Sequence, residues 1–260
     1  MSFTISFDSY QGQLLFINIC PLVLNIFNYF AGHYSVNMIK AVLFDLDNTL
    51  VDFMKMKKMA SEAAVSAMID SGLAMDEEKA IEKLFSMYET HGFEDQTILD
   101  KFIKENNKDK LDYKMLAAAV VAYRKVKSGY LTPYPHVQKV LIKLKENGIK
   151  LGIVSDAPVK QAWLRLAELR LMEFFDIIIA VGGTGKEKPH KMPFESAINE
   201  LKLRANEILF VGDNPNRDIL GAKRIGMKTA LAKYGQVRKG GEKADYILND
   251  VEDILEIVDE

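Results

Sequence analysis

The chain has 260 residues, 48% of them hydrophobic and 27% charged, with a formal net charge of −2. This composition can build an ordinary globular core, and it excludes the strongly basic surface that would make nucleic acid or an anionic membrane the main partner. A single cysteine, Cys20, excludes a disulfide framework and a thiolate metal cluster, so a reducing cytoplasm is the expected compartment.

Residues 1–37 differ from the rest. They hold no Lys or Arg, one acid (Asp8) and an apolar run from Leu14 to Phe30. Asn18, Pro21, Asn25 and Asn28 interrupt that run and leave it marginal as a membrane span. A basic leader and a small-residue cleavage site are both lacking. The segment reads as an apolar extension ahead of Met38, which is the expected natural start, and no stable membrane association is expected.

The first strand is predicted over 41–44, an apolar run of the kind that is buried on both faces of a sheet. It ends in two carboxylates, Asp45 and Asp47, followed by the hydroxyl of Thr49. Ligands of open α/β sheets bind just outside the carboxyl ends of the strands, where this acidic pair falls.

Over 53–130 the pattern turns helical. Met56, Met59, Ala60, Ala63, Ala64, Ala67 and Met68 lie at helical spacing in a helix over 54–73 that Gly72 closes. Further helices are predicted over 76–88, 98–103 and 115–126. The block is expected to fold as a separate helical insertion with the methionines in its core and Lys55, Lys57 and Lys58 on a solvated face.

Alternation begins at Tyr134. A helix over 137–147 is capped by Gly148, and a strand over 150–154 ends in Ser155 and Asp156. The next helix has Pro158 in its first turn and Trp163, Leu164 and Leu166 pointing inward. A strand over 175–181, a loop over 182–190 and a helix opened by Pro193 follow. Then come a strand over 207–211 ending in Gly212 and Asp213, a helix over 217–225, strands over 227–232 and 244–248, and a helix over 251–258. This order implies an α/β fold, a doubly wound, parallel, Rossmann-like sheet. The expected division is an extension over 1–37, a Rossmann-like core over 38–52 and 131–260, and the helical insertion over 53–130.

The strand ends carry Asp45, Asp47, Ser155, Asp213 and, one helix start later, Asp218, with Lys188 in a loop; parallel strands bring all of these to one edge. So many carboxylates repel one another unless a cation sits among them, and oxygen donors without histidine or thiolate suit Mg²⁺. The run Gly182-Gly183-Thr184-Gly185-Lys186 fails the spacing of a nucleotide-binding phosphate loop, and Glu187 stands where its hydroxyl belongs.

The set Asp45-Leu46-Asp47-Asn48-Thr49, Ser155, Lys188-Pro189 and Gly212-Asp213-Asn214-Pro215-Asn216-Arg217-Asp218 resembles the four motifs of the haloacid dehalogenase superfamily. The insertion resembles that family's C1-type cap. The resemblance implies that Asp45 attacks phosphorus and becomes an aspartyl phosphate, while Asp47 protonates the leaving oxygen and later takes a proton from water. It implies that Ser155, Lys188 and backbone N–H groups near Leu46 and Asp156 bind the phosphoryl oxygens. It also implies Mg²⁺ held by Asp45, the Asp47 carbonyl and Asp213, with Asp218 acting directly or through water.

The third motif departs from the pattern, because Lys191 stands where many relatives have a second proline. That leaves Lys191 as an alternative to Lys188 for the inward lysine. An aspartate at 47 implies a phosphatase of small phosphorylated metabolites rather than a dehalogenase, since a halide needs no proton on leaving. A phosphotransferase or mutase, and a receiver-like signalling module, are the rival readings. Phe53, Lys57 and Lys58 are the candidates to face the site from the cap.

Overall fold

The computed structural model describes residues 39–259 apart from residue 184, so the extension expected over 1–37 lies outside the described residues. Strands β1 (Ala41–Phe44), β2 (Lys150–Pro158), β3 (Ile177–Val181), β4 (Ile208–Gly212), β5 (Lys228–Ala232) and β6 (Tyr246–Leu248) form one sheet in the order β3-β2-β1-β4-β5-β6. Every pairing is parallel. β1 lies inside the sheet between β2 and β4, and each of its four residues is fully buried. Its side chains alternate: Val42 and Phe44 join one apolar layer with Leu141 and Leu166, and Ala41 and Leu43 join the other with Phe194 and Phe210.

Helices α1 (Phe53–Asp70), α2 (Glu77–His91), α3 (Ile98–Asn106) and α4 (Tyr113–Tyr130) follow β1. Aspartates open three of them: Asp52 accepts from Lys55 N at 3.1 Å, Asp76 from Lys79 N at 3.2 Å, and Asp112 from Met115 N at 3.1 Å. These four helices share an apolar cluster of their own that includes Val65, Met68, Leu84, Tyr88, Phe102 and Ile103. Burying side chains of this size contributes roughly 1.5–3 kcal/mol each. Met56, Ala60, Ala64 and Met68 form the buried stripe of α1, whereas Met59, Ala63 and Ala67 lie at its margin.

The remaining helices are α5 (Val137–Glu146), α6 (Val159–Glu168), α7 (Lys191–Leu201), α8 (Leu220–Arg224) and α9 (Ile254–Asp259). Three details differ from the sequence expectation. β2 continues past Val154 to Pro158, with a shift in its register against β3 after Ser155. The helix expected over 217–225 begins as a π-helical turn at Pro215–Ile219 before α8. Trp163 and Leu164 are exposed, because α6 turns Ala162, Arg165 and Leu166 inward at helical spacing. Among the described residues, no helix is long and apolar enough to cross a membrane.

Candidate active site

The order of the strands puts the carboxyl end of β1 beside the end of β4, at the point where the chain's winding direction reverses. Asp45 leaves β1 with its backbone N–H still donating to Val211 O at 2.8 Å, so its carboxylate is fixed to the sheet edge. Asn48 then turns the chain with φ of 61°, a left-handed value that asparagine tolerates. Its side-chain oxygen accepts from Met54 N at 3.0 Å, which ties this turn to the start of α1. From the far side, Tyr234 Oη donates to Thr49 O at 2.8 Å. Gly235 is pressed so closely on Asn48 that a Cβ there would lie 1.7 Å from the Asn48 carbonyl oxygen.

Lys188 reaches into this corner from the loop ahead of α7. Its Nζ lies 2.6 Å from Asp45 Oδ1 and 2.7 Å from Asp218 Oδ1, and it donates to Val154 O at 2.9 Å. Burial alone would lower this ammonium's pKa, but Asp218, Asp45 and Asp156 together outweigh burial and raise it. Lys188 is therefore charged throughout the physiological range. Lys191, the alternative, points outward and pairs with Glu195 at 3.1 Å.

Asp213 follows β4, and Asp218 sits within the π-helical turn, where it accepts from Asn214 N at 2.9 Å. Gly212 is needed for this approach, since a Cβ there would lie 2.5 Å from Asp218 Oδ2. Asp45, Asp213 and Asp218 are all buried, and each offers a carboxylate oxygen within 4.8 Å of the others. Burial, Asp218 and Asp213 raise Asp45 despite Lys188, and burial and Asp218 push Asp213 up to about 7. Lys188 and Arg217 face four carboxylates, those of Asp45, Asp156, Asp213 and Asp218, and the remaining negative charge, with an all-oxygen donor set, fits a hard divalent cation.

Ser155 and Asp156 stand where β2 shifts register. Ser155 Oγ accepts from Ala157 N at 3.1 Å and keeps its own proton free to donate. Asp156 accepts from Lys188 N at 2.9 Å and pairs with Arg217, so its side chain braces the lysine. Leu46 is fully buried and directs its side chain into the core.

Asp47 faces the helices. Arg165 Nη1 donates to its Oδ2 at 2.7 Å, and among the described residues Oδ1 has no hydrogen-bond partner. Burial raises Asp47 to about 6, partly opposed by Arg165. Arg165 also pairs with Glu94, which lies after α2, and its Cζ stacks 4.5 Å from the Phe53 ring centroid. Of the three cap candidates, Phe53 borders this cluster. Lys57, expected on the solvated face, is instead buried, with Nζ 4.2 Å from the Tyr88 ring centroid and 5.4 Å from that of Tyr123. Lys58 is exposed, with Glu62 at 3.9 Å.

The description "haloacid dehalogenase-like hydrolase" belongs to a family model that matches residues 42–232. A glyceraldehyde 3-phosphate phosphatase of Methanocaldococcus jannaschii is 34% identical over 85% of this chain and 97% of its own. The chain belongs to the haloacid dehalogenase-like hydrolases. A glyceraldehyde 3-phosphate phosphatase of Pyrococcus abyssi is 39% identical over 76% of this chain and 83% of its own. The crystal structure of a HAD phosphatase from Thermococcus onnurineus covers 85% of this chain and 98% of its own, with a TM-score of 0.65 and 26% identity. This haloacid dehalogenase-like hydrolase is a phosphatase, acting on phosphoric monoesters.

Proposed function

We propose that this chain is a Mg²⁺-dependent phosphatase of small phosphorylated metabolites that works through a phosphoaspartate on Asp45. The observation that carries the reading is the Asp45 carboxylate, held at the end of β1 at 2.6 Å from Lys188 and within reach of Asp213 and Asp218. Asp45 Oδ forms a bond to phosphorus while the ester oxygen departs with the proton supplied by Asp47. Water then attacks the same phosphorus, gives its proton to Asp47, and releases orthophosphate and free Asp45. Lys188, the Ser155 hydroxyl and the backbone N–H groups near Leu46 and Asp156 hold the phosphoryl oxygens, where charge collects.

The carboxylates of Asp45, Asp213 and Asp218 and the carbonyl of Asp47 would hold Mg²⁺. When bound, it would supply Lewis-acid polarisation of the phosphoryl group and neutralise the acidic corner. Helices α1–α4 serve as a cap, since Phe53 and Glu94 bring residues of that block to the leaving-group side of Asp47. The cap keeps bulk water from the phosphoaspartate and restricts the enzyme to small esters. A cytoplasmic location agrees with the lone cysteine.

The test is phosphate release with Mg²⁺ from a panel of metabolite monoesters, starting with glyceraldehyde 3-phosphate in view of the relatives' names. Turnover that disappears in Asp45→Asn and on chelation supports the reading. Turnover that survives either change overturns it.

A further inference from the structure

The helical block holds one buried ammonium beside the residues on the leaving-group side of the site. Lys57 is 7% exposed, and its Nζ lies 4.2 Å from the Tyr88 ring centroid, 5.4 Å from that of Tyr123 and 6.0 Å from that of Phe53. Phe53 is a shared wall, since the Arg165 guanidinium rests on the same ring at 4.5 Å and binds both Asp47 and Glu94. The charges of Asp47 and Glu94 also act on Lys57. The side chains of Asp47 and Glu94 are 20% and 27% exposed, so this corner opens to solvent above the more deeply placed lysine.

Arg165 is committed to its two carboxylates. Among the described residues, Lys57 has no carboxylate within ion-pair distance, and its ammonium faces rings. Burial lowers its pKa to about 8, so the group has given up hydration and still carries its proton at neutral pH. Packing does not require that charge, because a methionine would reach the same three rings. When Asp47 carries the proton meant for the leaving oxygen, Arg165 and Glu94 answer each other, and the Lys57 ammonium is the one charge left over. A monovalent anion on the leaving group would complete the pair. A second phosphate would bring more negative charge than one ammonium can answer.

We propose that Lys57 binds a carboxylate on the leaving group, so that the enzyme favours monoesters of hydroxy acids over those of neutral alcohols of equal size. The proposal rests on the reading of Asp47 as the residue that protonates the leaving oxygen. Because Lys57 is already desolvated, the incoming carboxylate is the only partner that must shed water, and the pair forms where charges interact strongly. Lys57 is then a specificity-determining residue supplied by α1.

The matched pair 3-phosphoglycerate and glycerol 3-phosphate isolates the charge, since one carries a carboxylate where the other carries a hydroxymethyl group. The experiment measures kcat/KM for both with Mg²⁺, using the full chain as wild type, Lys57→Met and Lys57→Gln. The wild type is expected to favour 3-phosphoglycerate by at least about tenfold, the scale of one close charge pair formed away from water. Lys57→Met should bring the two esters within about threefold, mostly by raising KM for 3-phosphoglycerate. A lysine that only packs against the rings would leave the ratio where it is.

A wild type that does not favour 3-phosphoglycerate overturns the proposal, as does one that hydrolyses neither ester while turning over other monoesters. An unchanged ratio in Lys57→Met overturns it too. If Lys57→Met fails to fold by circular dichroism, Lys57→Gln removes the same charge and is read in the same way. Absence of turnover on every monoester strikes the phosphatase reading instead, so the two failures are distinguishable.

Discussion

Lys188 Nζ sits 2.7 Å from Asp218 Oδ1, and both side chains are almost wholly enclosed by protein. The ammonium, together with the Arg217 guanidinium, offsets part of the charge of three buried carboxylates. Lys188→Met should therefore both abolish turnover and destabilise the metal-free protein by about 3–5 kcal/mol, the usual cost of breaking a buried ion pair. Thermal unfolding in chelator measures the second effect. Added Mg²⁺ should raise the variant's Tm more than the wild type's, since a cation bound only by the folded state stabilises by mass action. An unchanged Tm on substitution would show that the lysine does not neutralise the cluster.

Stability should also fall with rising pH over a defined window. Burial raises Asp47 to about 6 and Asp213 to about 7, above the ordinary 3.8 of an unfolded aspartate. Between about 4 and 7 the folded chain therefore holds protons that the unfolded chain has released, and folding weakens as pH climbs through those values. Below about 4 the sign reverses, because Asp95 and Glu207 are lowered to about 2. Urea midpoints in chelator from pH 4 to 7 should decline, and saturating Mg²⁺ should flatten the decline. A midpoint that rises across this range contradicts the burial of these carboxylates.

Asp47→Asn should discriminate between leaving groups. An alkyl ester needs its departing oxygen protonated, and losing a positioned acid costs about 10²–10⁴-fold. An aryl ester such as p-nitrophenyl phosphate leaves as a stable anion and should lose far less in its first step. Pre-steady-state release of the alcohol or phenol isolates that step from hydrolysis of the phosphoaspartate. Equal losses on both substrates would exclude Asp47 as the proton donor.

Gly212→Ala should damage the metal site without touching a ligand. The added Cβ would lie 2.5 Å from Asp218 Cβ, Cγ and Oδ2. Asp218 must move, and overpacking of this kind costs about 1–3 kcal/mol. The Mg²⁺ concentration for half-maximal activity should rise at least about tenfold, by analogy with lost outer support at other metal sites. An unaltered Mg²⁺ dependence would place Asp218 outside the ion's surroundings.

The sheet and the acidic corner were readable because parallel strands end on one edge, so residues far apart in sequence converge by topology alone. Asp45, Ser155 and Asp213 each follow an apolar run that announces its strand. Arg165 was not readable. It stands next to Leu164 and two residues after Trp163, whose apolar surfaces suggest an inward face. The helix instead presents Ala162, Arg165 and Leu166, because pairing with Asp47 and Glu94 outweighs the desolvation of one guanidinium. Lys57 misled for a related reason. Tyr88 and Tyr123, whose rings enclose it, lie on other helices, and no pattern within α1 signals them.

The hydrogen bond from Tyr234 to Thr49 spans 185 residues of sequence. During synthesis the turn at Asn48 has neither that tyrosine nor Gly235 to lean on until about 185 further residues have been made. The reactive corner therefore depends on a contact of high sequence separation, and a chain that stops short of Tyr234 carries Asp45 and Asp47 without the support that this contact gives their turn.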